Sequence, residues 1–296
     1  MSVYIEAVQV SVPSNDNILP MTFQTRSAHG TYLHDHVGLG NPTPNHLIYS
    51  SDIHDGSTVG GTTIRNRVVT LRIGLDADTR ADLEILRDKV FRLFSSNHEL
   101  LLRTSRQDGT VRALYGYVQT GLEYSTQARI GSSEPMTVVI FCEDGISTGD
   151  MHEVDISGSV GAGTTWTIPF QIPFVIGQGE WEASHITHYS GTYKSFPCID
   201  IHGPAEGFTL RNNTTGGVLV LSKRVGVGEV ITADMNTLNV HDAAGVNRID
   251  IVDINASRTD LMYLRHGNNA IAVNGTDFNT NSRAILTWHD RWLEIV

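Results

Sequence analysis

The sequence predicts a mainly β fold, with an α+β domain carrying one main helix first and a β-sandwich after it. Three observations lead there. Apolar and polar residues alternate in short runs along both halves of the chain. A single segment keeps the three- and four-residue spacing of an amphipathic helix. Twenty-eight glycines, with many Thr, Asn and Val, supply the turns and β-branched residues that strands need.

Taken in order, Tyr4 to Val12 alternates with Val8, Val10 and Val12 on one face, and breaks at Pro13-Ser14-Asn15-Asp16-Asn17. Residues 27–63 show no sustained period, carry many Gly and Pro, and hold His29, His34, His36, His46 and His54. They read as a long loop or arm able to reach a neighbouring subunit. A strand follows from Ile64 to Ile73, with Val69, Leu71 and Ile73 on one side. Then comes the helix, whose stripe is Leu83, Leu86, Val90, Leu93 and Phe94, with Asp76 or Asp78 placed to cap it. Leu100 to Leu102, a turn at Gln107-Asp108-Gly109 and the run Val111 to Tyr117 read as a hairpin. Met136 to Cys142 closes this part.

At 296 residues the chain is long enough for two domains. The polar stretch Glu143 to Asp150 suits the break, giving 1–143 and 144–296. Beyond it, short candidates recur with turn residues between them: Thr164 to Ile168, Ile186 to Tyr193, Cys198 to His202, Phe208 to Arg211, Val218 to Leu221, Val230 to Ala233, Leu238 to His241, Arg248 to Ile251, Ala270 to Asn274 and Ala284 to Trp288. That spacing is the signature of a sandwich.

Composition narrows the function classes. The formal net charge is −11, which disfavours an outer surface built to grip nucleic acid. Cys142 and Cys198 read as small core residues, without CxxC spacing or a disulfide framework. The N-terminus has neither the basic nor the apolar region of a signal peptide, and no run is long enough for a membrane span, so synthesis in the cytoplasm is expected.

No catalytic set stands out, and none is expected. His34-Asp35-His36 with its neighbours suggests a metal only weakly, because all the ligands share one segment, and His185 and His188 sit on opposite faces of a strand. Glu180, Glu182, Asp200, Asp234, Asp242, Asp250 and Asp253 offer pairs for a glycoside hydrolase, but any acidic chain does. No nucleophile elbow or phosphate loop appears, and neither cofactor nor metal is expected. Trp181 and Trp292 are the candidates for stacking on a saccharide, the basis of an alternative reading as a carbohydrate-binding sandwich. Arg65, Arg67 and Arg72, read as one side of a strand, are candidates for inter-subunit contact with acidic partners.

The order of these features carries a resemblance. Arg67-Val68-Val69-Thr70-Leu71-Arg72, the Leu83 to Phe94 helix, Tyr115-Gly116-Tyr117 and Met136 to Phe141 resemble the ring-forming domain of distal tail proteins of long-tailed bacteriophages. Phe196 to Pro204, Phe208 to Asn212, Gly216 to Leu221 and Leu264 to Ile271 are similar to the galectin-like sandwich of that family. The resemblance implies a structural virion protein at the tail tip, a homohexameric ring between the tail tube protein and the tail-tip hub or tail fibre proteins. Receptor-binding protein or saccharide is implied on the second domain. DNA would pass through the ring without being specifically bound.

Overall fold

The computed structural model describes residues 7–24, 30–50, 53, 55–106, 109–124, 133–157 and 181–295. They form two compact units, residues 1–150 with 291–296, and residues 151–290.

The first unit contains β1 (Ala7–Ser11), β2 (Met21–Gln24), β3 (Gly30–Val37), β4 (Pro44–Ser50), β5 (Ser57–Ile64), β6 (Arg67–Asp76), α1 (Arg80–Leu93), β7 (Glu99–Ser105), β8 (Val111–Tyr124), β9 (Ser133–Cys142) and the start of β10 (Ser147–Ile156). The strands run β8-β7-β1-β2-β3-β6-β9, and β9 returns to β8, so the sheet closes into a barrel without free edges. The pairings are antiparallel apart from a brief parallel contact of β2 with β3 at Gln24 and Tyr32.

Alternation explains what fills the barrel. Val8 and Val10 of β1, Val69, Leu71 and Ile73 of β6, Leu100 and Leu102 of β7, and Met136, Val138 and Ile140 of β9 are all buried. Leu83, Val90, Leu93 and Phe94 join the same core from the helix side. The helix is capped by Thr79, whose hydroxyl accepts from the Asp82 amide at 3.2 Å. Neither Asp76 nor Asp78 takes that role, because the helix starts at Arg80.

The chain's last residues complete this unit. Ile295 is fully buried and its amide donates to the Leu39 carbonyl at 3.0 Å. Thr104 Oγ1 donates to the Ile295 carbonyl at 2.5 Å, and Arg112 Nη1 donates to both the carbonyl and Oε1 of Glu294 at 3.0 Å. Ser147 Oγ reaches the Glu294 carbonyl at 2.9 Å, and Arg291 pairs with Asp144 at 2.6 Å. Arg67 donates to the Leu293 carbonyl. Backbone carbonyls packed against the protein need donors, and here side chains supply them.

The second unit holds the rest of β10 with β11 (Trp181–Tyr189), β12 (Cys198–His202), β13 (Glu206–Asn212), β14 (Gly217–Val220), β15 (Val230–Asp234), β16 (Asn239–Asp242), β17 (Gly267–Thr276) and β18 (Arg283–Trp292), whose last two residues fall in the first unit. One sheet runs β16-β15-β12-β18-β10 and the other β11-β17-β13-β14. Their inward residues, among them Ile199, Ile201, Phe208, Leu210, Leu219, Ile231, Val273 and Leu286, form one core with Tyr189 at its edge. Burying an aromatic phenol requires a partner, and the Tyr189 hydroxyl donates to the Tyr193 carbonyl at 2.5 Å.

Three segments differ from the sequence expectation. Residues 27–63, read as one loop or arm, hold the strands Gly30–Val37 and Pro44–Ser50 and all but the last residue of Ser57–Ile64. Ser147 to Asp150, read as linker, begins β10. Ile249–Ile251, read as a strand, is a 3-10 turn. The candidate at Thr164 to Ile168 lies outside the described residues.

Candidate assembly surface

β4 and β5 form a hairpin that pairs with no third strand among the described residues. Its strands are rich in β-branched residues, Thr58, Val59, Thr62, Thr63 and Ile64, which suit a pleated ladder. Register runs from Pro44 opposite Ile64 to Leu47 opposite Gly61, then shifts, and resumes with Ile48 opposite Val59. Gly60 occupies the shift. A Cβ there would sit 2.2 Å from the Tyr49 ring, so the aromatic lies against the glycine and would have to swing aside for any larger residue.

The hairpin is unusual in what it exposes. Leu47, Ile48, Tyr49 and Val59 are 53%, 59%, 59% and 56% exposed, and neither strand carries Asp, Glu, Lys or Arg. A two-stranded ribbon is marginal by itself, and uncharged apolar strands with free edges invite pairing with another chain. A second apolar surface lies on the barrel. Tyr117 pairs across from Phe141, which pairs on its other side with Val68. Tyr117, Val68 and Tyr115 are 40%, 44% and 49% exposed.

The arginine candidates separate. Arg67 and Arg72 are five residues apart on β6, an odd step, so they face opposite ways. Arg67 is 4% exposed, points inward with Val69 and Leu71, and serves the C-terminal segment, where burial lowers its pKa. It is not a surface contact. Arg72 is exposed and pairs with Asp35 at 3.4 Å, and Arg65 is exposed just before the strand.

Trp292 belongs to the first unit, not to the sandwich, and the Arg112 guanidinium lies 4.1 Å over its ring. One face of that indole is therefore already covered. The side chain of Trp181 lies outside the described residues, as do His29, His54 and Glu180.

Several of the remaining histidine and carboxylate candidates have structural partners. His46 Nδ1 is 2.8 Å from the Thr62 hydroxyl across the hairpin, and His34 packs edge-on against Tyr32 at 4.7 Å. His188 meets Asn268 at 3.1 Å. Asp200 accepts from Thr232 at 2.6 Å, and Asp250 pairs with Lys223 at 2.6 Å. Asp234, Asp242 and Asp253 accept backbone amides in their own turns. Among the described residues no cluster of three His, Cys, Asp or Glu could hold a metal. The thiol of Cys142, fully buried on β9, is pushed up to about 12 by burial, despite the opposing charge of Arg67.

Comparison with known proteins agrees with this architecture. Residues 41–134 match the family model of the phage tail protein RIFT-related domain. That span takes in the hairpin, β6, α1, β7 and β8. The crystal structure of the Dit protein of phage SPP1, described as a paradigm of the hub adsorption apparatus in phages infecting Gram-positive bacteria, matches at 11% identity with a TM-score of 0.64. The match covers 96% of this chain and 98% of that one. Chains of the phage P2 baseplate in its activated conformation, with calcium and with strontium, match at 10% identity with TM-scores of 0.41 and 0.42. Each covers 95% of this chain and 97% of the other. No curated protein matches.

The likeness is to proteins of the phage tail, by family model over residues 41–134 and by fold over nearly the whole chain. In fold the chain resembles a distal tail protein, as the order of its sequence features suggested.

Proposed function

We propose that this chain is a distal tail protein that assembles through its first unit into a homohexameric ring, joining the tail tube protein to the tail-tip hub or fibre proteins and leaving a passage for DNA. The observation that carries the reading is the unpartnered, uncharged β4–β5 hairpin with its row of exposed apolar residues. Seated on a neighbouring copy, the hairpin loses its free edges and buries Leu47, Ile48, Tyr49 and Val59. A heterologous contact of that kind closes into a ring when its rotation allows. The exposed Tyr115, Tyr117 and Val68 offer apolar surface for such a neighbour, and Arg65 and Arg72 stand on the same unit as polar contacts for its rim. Acidity fits a lumen past which DNA slides without being held, since no counterion release favours binding. The second unit is assigned the receptor-binding proteins.

Sedimentation of the full chain and of Leu47→Asp/Ile48→Asp over a concentration series tests this. The wild-type chain sediments as an oligomer, and the variant as a monomer with an unchanged melting temperature. A variant that still assembles would remove the hairpin from the contact.

A further inference from the structure

We propose that the second unit has a binding site for a neutral saccharide at the end of its five-strand sheet, on residues other than the tryptophans singled out from the sequence. The floor is a row of side chains fixed by strand register. Val230 of β15 lies opposite His202 of β12, and His202 lies opposite Arg283 of β18. Inward neighbours Ile201, Ile231 and Ala284 are buried, so by alternation these three stand on the outer face, spaced about 5 Å apart. Arg283 reaches Asp155 of β10 at 3.4 Å, which extends the row to a fourth strand.

Two turns wall the floor: Val227-Gly228-Glu229 on one side, and Thr280 with Asn281 on the other. They enclose a cleft of about 390 Å³, within the range of sites that take small ligands.

Both walls are fixed from behind. Glu229 accepts from the Gly226 amide at 2.7 Å and from Arg248 at 2.5 Å, which hold its carboxyl below the usual range. The Gly203 amide donates to the Glu229 carbonyl at 2.9 Å. On the other side, buried Ser282 donates to the Pro204 carbonyl at 2.6 Å and accepts from the Asn279 amide at 2.9 Å, and Asn279 accepts from the Asn281 amide at 2.8 Å. The supports engage neither the Thr280 hydroxyl nor the Asn281 side-chain amide, which have no hydrogen-bond partner among the described residues. A cleft held in shape before its ligand arrives loses little order on binding.

The chemistry of the lining selects the ligand. An amide, a hydroxyl, an imidazole and a guanidinium suit the vicinal hydroxyls of a pyranose, each of which both donates and accepts. Val227, 74% exposed, and Val230 offer an apolar wall for the C–H face of the ring. Charge is balanced within the protein: Arg283 faces Asp155, and Glu229 faces Arg248. The cleft thus has no surplus positive charge for a phosphate or an acidic sugar.

The test uses the full chain and backbone amide NMR, titrating glucose, galactose, rhamnose, N-acetylglucosamine and inorganic phosphate separately. At least one sugar shifts the amides of residues 202, 227–230 and 280–283 saturably, with an affinity of about 1 mM, as suits a small open cleft. Asn281→Ala and Arg283→Ala each weaken it about tenfold or more while the melting temperature is kept, since both side chains are exposed. The proposal is overturned if none of the four sugars shifts these amides, if the two variants bind as the parent does, or if phosphate alone binds. Because the readout is independent of assembly, a sugar-binding monomer upholds this site while removing the ring.

Discussion

The two units solve the same problem, enclosing a β core, in different ways. The second draws its core from one continuous stretch, 151–290, and packs two sheets with aliphatic residues and Phe208 at the centre. The first closes a barrel from residues 7–142 and still needs 291–295, held by buried Arg67 and Arg112, to finish it. A unit that borrows its last segment from the far end of the chain cannot be cut out by its apparent boundary.

The sharpest way to break this contrast is to remove residues 291–296. Arg67 and Arg112 then stay buried without their carbonyl and carboxylate acceptors, a change expected to cost at least about 4 kcal/mol. Calorimetry of the truncated chain should show the first unit's transition lost and the second's kept. Equal loss of both would mean that the units fold as one. Next in size is a matched pair of core truncations, Leu71→Ala in the barrel and Phe208→Ala in the sandwich, each expected to cost about 3–5 kcal/mol. Each should lower only its own unit's transition.

A smaller effect is expected at the hairpin. Gly60→Ala sets a methyl into the Tyr49 ring and should raise amide exchange across β4 and β5, while the barrel's exchange stays unchanged. The smallest is at Arg72, whose exposed pair with Asp35 should contribute about 0.5 kcal/mol or less. Arg72→Ala should leave the monomer's melting temperature unmoved, so any loss of assembly would locate this residue at a subunit contact.

Cysteine reactivity distinguishes the folded cores directly. With its thiol pushed up to about 12, Cys142 is protonated at pH 8, and a raised folded pKa keeps it so until well above that pH. Alkylation at pH 8 should spare Cys142 in the native chain and modify it after denaturation. Labelling in the native state would show the barrel open at β9.

Much of the fold was legible because it obeys the two periods that sequence shows. Val69, Leu71 and Ile73 alternate because one face of β6 is core, and Leu83 to Phe94 recur at helical spacing because one stripe of α1 is. The hairpin at residues 44–64 left no such trace, since a ribbon exposed on both faces has no buried set to alternate. The C-terminal return was hidden for a different reason. It is held through backbone carbonyls, which every residue has, so no residue type announces it. The separation of Arg67 from Arg72 was legible in their odd spacing. The sugar cleft was not, because His202, Arg283 and Val230 meet only through the register of three strands distant in sequence.

If the first unit builds a ring through its exposed hairpin, the ring forms from the purified chain alone. Negative-stain imaging of the purified full chain, classified without imposed symmetry, tests it most directly. Six-fold rings with a central hole are the expected result. Particles that remain single at every concentration, or that pair into closed dimers without a hole, would contradict it.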